Sequence, residues 1–240
     1  MRLMDYEQAL VLFDLSKLKT KGLVDLTVDA NGNIAITRDG DLQMGEARVN
    51  ALFRLLERWR ISQFTVNELY ATWRSTRDEL KTIQCQHKNS SLVADPRRFH
   101  SEAESISELE ENSGILAGAI FVVLNNLLQR FKQDLELSQG PTAASTPTPP
   151  PFEAAITAAA ANFRHYDEWA GSSVVNSQQQ KSVSTLCHFL GMQPKGANER
   201  PAIRSNVCSP VLEKLSEGTI ETLHRRIFDY AKTAARYEEM

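Results

Sequence analysis

The sequence has little of what the commonest kinds of site are built from. It holds only three cysteines, Cys85, Cys187 and Cys208. An odd, widely spaced set makes no disulfide framework. Cys85 with His87, and Cys187 beside His188, lack the paired spacing of a zinc site, so neither a metal nor a cofactor is expected. No glycine-rich loop follows a strand, which excludes phosphate cradling by that route. No Gly-x-Ser-x-Gly elbow occurs, and no Cys/His nucleophile pair can be argued from spacing. Asp29, Asn31 and Asn33 are spaced like calcium ligands, but glycine comes too early in the run and Gly40 stands where the closing Glu belongs.

Charge of one sign is lacking too. The formal net charge is −3, which gives no overall pull toward nucleic acid or an anionic membrane, although local basic patches stay open. The longest apolar run, Ile115 to Leu128, is interrupted by Asn125 and Asn126. It falls short of the ~20 residues that span a bilayer. Asp5 and Glu7 stand where a signal peptide would be basic and then apolar. The expectation is a cytoplasmic protein with no membrane partner.

What is present is an ordinary globular balance: 42% hydrophobic and 24% charged residues in a chain of 240. That length suffices for one large domain or two small ones. The expected fold is mainly α, a helical bundle with one N-terminal β-hairpin. Residues 4–20 read as an amphipathic helix. Leu23–Asp39 alternates as a hairpin, and a loop at Ala30-Asn31-Gly32 pairs Val28 with Ile34 and Leu26 with Ile36, so that the large apolar residues share one face. Residues 43–60 predict a second helix. A capping box at Thr65 and Glu68 opens a third, to about residue 87. This pair could be a DNA-binding helix-turn-helix, but Glu68 occupies the face a recognition helix would present, and a plain helical hairpin is preferred.

Residues 88–100 break the pattern, and a second box at Ser101 and Glu104 opens a long helix to about Leu137. Its apolar residues recur at near-heptad spacing. A coiled coil with a second chain and a central core helix both fit, and the breadth of the apolar face favours the core helix. Gln139–Pro151 is a proline-rich linker, either between domains or between two helices of one bundle. Beyond it, a helix over 177–190 stops at Gly191, Ser209-Pro210 opens a short one, and Thr219 caps the last. An N-terminal region over 1–95 and a C-terminal bundle over 100–240 are expected.

The densest functional chemistry lies in Phe152–Gly171, FEAAITAAAANFRHYDEWAG. Alanine after Pro151 favours a helix. Its apolar stripe is centred on Phe163, with Asn162, His165 and Trp169 on one flank and Arg164 and Glu168 able to pair on the other. In the catalytic reading His165 is the general acid/base, Arg164 or Asn162 holds an anion nearby and Glu168 completes the set. In the structural reading the cluster is a polar clasp that fixes the helix to its neighbours. Asn162, Arg164, His224, Arg225 and Arg226 could converge on one groove suited to RNA phosphates, or stand as separate solvated charges.

An Ala-rich helix carrying the string N-F-R-H-Y-D-E-W resembles the corresponding helix of bacterial all-helical proteins, some of them similar to the HEPN superfamily. The resemblance spans about Ser101 to Met240. It implies a helical ribonuclease or RNA-binding protein of a bacterial stress or defence system, with Arg164 and His165 as the working pair. Ribonucleases of that superfamily separate the Arg and the His by several residues, whereas here they are adjacent. Two functions are therefore carried: a non-enzymatic helical interaction or scaffold module, and the HEPN-like ribonuclease or RNA binder. The partners expected are a second copy through the long helix 101–137, or RNA.

Overall fold

A computed structural model describes residues 4–18, 31–36, 40, 42, 47–139, 151–171, 176–192 and 203–237. The described residues are mainly helical: α1 Tyr6–Leu12, α2 Ala47–Lys88, α3 Pro96–Gln139, α4 Pro151–Gly171, α5 Ser177–Leu190, α6 Cys208–Ser216 and α7 Ile220–Ala234. No strand occurs among them, and one isolated antiparallel bridge joins Ile36 to Leu42. The first arm of the expected hairpin, Leu23–Ala30, lies outside the described residues, as does most of the linker, 140–150.

Local chemistry explains where the helices differ from expectation. The first is shorter than 4–20. Asp5 opens it with a capping box, and Asp14, at φ 55°, closes it in the left-handed region, with the Leu15 N–H returning to the Leu10 carbonyl at 2.8 Å. The helices expected over 43–60 and 65–87 are one, α2. Ile61-Ser62-Gln63-Phe64 contains neither glycine nor proline, and Ser62 bonds back to the Arg58 carbonyl (2.7 Å) as a helix-interior serine. The N–H groups that Thr65 would cap belong to the preceding turn, and the helix-turn-helix reading goes with the break it needed. The long helix starts at Pro96, ahead of Ser101, because Asp95 accepts from the Arg98 N–H (3.1 Å) and proline suits the first helical position.

The chain forms two compact units that it visits in alternation: Met1–Phe64, Val123–Glu153 and Thr219–Met240 in the first, Thr65–Val122 and Ala154–Gly218 in the second. In the first unit, Trp59 is the centre. Phe13 meets it edge-on at 4.7 Å, Phe228 at 5.6 Å and His224 at 5.2 Å, while Phe13 and Phe228 stack at 3.9 Å. Burying an aromatic side chain of this size contributes roughly 1.5–3 kcal/mol. Leu124, Leu128 and Phe131 of α3 and Ile227 of α7 complete the core. Arg54 and Arg58, one turn apart on α2, both reach Asp134 of α3, at 3.5 and 2.6 Å.

In the second unit, Tyr70 and Trp73 of α2 donate to Ser216 and Ser209 of α6, each at 3.0 Å. Arg77 holds Glu213 at 2.6 Å. The small residues of α4, Ala155, Ala158, Ala159 and Ala160, are buried, as are Ala117, Ile120 and Phe121 of α3. By length and composition α3 could cross a bilayer, yet 56% of its apolar window is buried within the chain, as in a core helix.

Candidate functional site

Helix α4 begins at Pro151 and carries the expected string on its second half. The burial stripe is rotated from the one expected. Asn162 and Trp169 are buried, Phe163 and Tyr166 are half-buried, and Arg164, His165, Asp167 and Glu168 are exposed. The rotation follows from what Asn162 does. Its Nδ2 donates to the Ser205 carbonyl (3.1 Å), and its Oδ1 accepts from the Val207 N–H (2.9 Å). The 203–208 strip, which has no regular structure of its own before α6, is thereby fastened along α4. Arg204 donates to the Ala170 carbonyl (3.1 Å) near the helix end, and the Cys208 thiol donates to the Ala159 carbonyl (3.3 Å). Burial pushes that thiol up to about 12, so it stays protonated.

On the exposed face, the carboxylate of Glu168 pairs with His165, not with Arg164 as expected. His165 Nδ1 lies 3.2 Å from Glu168 Oε1 at i,i+3 spacing. Neighbours three and four apart on a helix are both in reach, and the imidazole takes the nearer place. A carboxylate on one ring nitrogen orients an imidazole and leaves the other nitrogen outward. Arg164 stands beside this pair in sequence, also exposed.

His224, Arg225 and Arg226 lie on α7 in the first unit, whereas Asn162, Arg164, His165 and Glu168 lie in the second. His224 is buried against Trp59, and its burial lowers its pKa from 6.5 to about 4, so the ring is neutral at pH 7. Arg225 is exposed and Arg226 half-buried. All three cysteines are free, Cys85 exposed and the other two buried. No group of three or more His, Cys, Asp or Glu suited to a metal ion occurs among the described residues.

The sequence reading passed over a second cluster, in the turn between α2 and α3. Glu102 receives the Arg98 Nε at 2.8 Å and lies 3.5 Å from His87 Nδ1. The hydrogen bond from Arg98 keeps its carboxyl below the usual carboxylate range. The Ser90 hydroxyl donates to the His87 carbonyl (2.8 Å), and the His87 ring packs on Phe99 with centroids 4.4 Å apart. Ser90 Oγ approaches the same ring nitrogen that faces Glu102, at 3.4 Å. A proton relay needs the two partners on opposite nitrogens, so this group is a structural knot and not a catalytic triad. Its sequence signals were Asp95-Pro96, a helix start, and the i,i+4 pair Arg98 and Glu102.

No protein-family model, curated protein or solved structure matches the chain.

Proposed function

We propose that the protein is a non-enzymatic helical interaction or scaffold module. The observation that carries this reading is a set of apolar side chains left in water on ordered helices of the first unit. Ile61 is 77% exposed, and Phe64, nearly one turn on, shares its face of α2; Val11, 73% exposed, and Leu12 stand on α1. Apolar side chains gathered into one contiguous patch mark a contact site, and the variant below tests whether these do so. Asn162 supports the same reading, since an enclosed amide bonded to main chain on both sides specifies structure. The N-terminal hairpin of Leu23–Asp39 belongs to the proposal as further apolar surface, with Ile34 and Ile36 both exposed.

The proposed partner is a second copy of the chain, in the cytoplasm. The α3 seam residues Ile120, Leu124, Leu127 and Phe131 are buried within the chain itself, so association would use the outer side chains on α1 and α2. Sedimentation velocity over a concentration series tests this on the wild type and on the double variant Ile61→Asp, Phe64→Asp. A dimer that grows with concentration and is lost in the variant is expected. A wild type that stays monomeric throughout removes the second copy as partner.

The second reading is the HEPN-like ribonuclease or RNA binder, favoured by one observation, the exposed His165–Glu168 pair next to Arg164. Incubation of a mixed single-stranded RNA pool with wild type and His165→Ala decides it. Cleavage lost in a variant of unchanged circular dichroism would carry this reading. An inactive wild type would count against it.

A further inference from the structure

We draw no further inference here: the strongest candidate, the buried side-chain cluster of Trp59, Gln63 and His224 in the first unit, whose ring and amide nitrogens Nε1, Nε2 and Nε2 bond to nothing among the described residues, carries nothing because nothing in the structure shows that the three open onto one common space.

Discussion

The ring of Phe163 on α4 lies directly over Gly118 of α3, so close that a β-carbon at position 118 would overlap it. The ring needs the missing side chain to reach its place beside the buried alanines of α4. Alanine is the better helix former by about 1 kcal/mol, so an open glycine in mid-helix would gain by the exchange. Here packing outweighs propensity: Gly118→Ala should destabilise by roughly 1–3 kcal/mol, the usual cost of overpacking. Gly114 is the comparison: the nearest atoms there belong to the end of the Asn206 side chain, whose Oδ1 accepts from the Cys208 N–H, so Gly114→Ala should cost that one bond at most and less than Gly118→Ala. Urea unfolding of both variants checks this, and Phe163→Leu placed with Gly118→Ala should restore part of the loss.

Asn162 and His165 are three residues apart on α4, yet their removal should have different consequences. Asn162→Ala leaves the Ser205 carbonyl and the Val207 N–H without their partner inside the fold. A cost of about 2 kcal/mol is expected from two such bonds at a partly buried site. His165→Ala removes an exposed pair and should change stability by less than about 0.5 kcal/mol. Denaturation midpoints of the two variants, measured side by side, separate a clasp from a surface group. Equal losses would mean that His165 is also part of the clasp.

Punctuation was the legible part of the chain. Gly191 ends α5 at φ 74°, and Thr219 caps α7 through the Thr222 N–H, both as their residue types require. Capping signals misled where no break accompanied them: Thr65 and Glu68 have the letters of a box, but the four residues before them carry α2 straight through. The α4 cluster was legible as a set of residues and not as a geometry. What divides it is burial, and the burial of Asn162 depends on partners 43 and 45 residues further on, in a segment with no periodicity to read. Leu92 and Val93, exposed at the turn between α2 and α3, stood in a stretch marked only as irregular, because a turn presenting side chains outward has no repeat to detect.

The cysteines should respond to alkylation in two classes. Cys85 is exposed, whereas Cys187 and Cys208 are buried and burial raises the pKa of both thiols. Only the thiolate reacts, so iodoacetamide at pH 8 should label one site in the folded protein and all three in denaturant. Mass spectrometry of the intact chain reads the count directly. Rapid folded-state labelling of Cys208 would contradict the 203–208 strip lying along α4.

Stability should fall in mild acid, and His224 sets the window. Its ring titrates near 6.5 in an unfolded chain and at about 4 in the fold, where burial disfavours the imidazolium. A lowered histidine means that the unfolded chain binds the proton first as the pH drops. The stability linked to this group is therefore complete above about pH 6.5, declines through the interval, and is lost by about pH 4, a total of about 3 kcal/mol. His224→Phe keeps an aromatic edge for Trp59 and carries no titratable group. Its urea midpoint should hold between pH 7 and pH 4 apart from the carboxylate background that it shares with the wild type. A wild-type midpoint no steeper in pH than that of the variant would mean that water reaches the His224 ring, and that the core around Trp59 opens more readily than its packing implies.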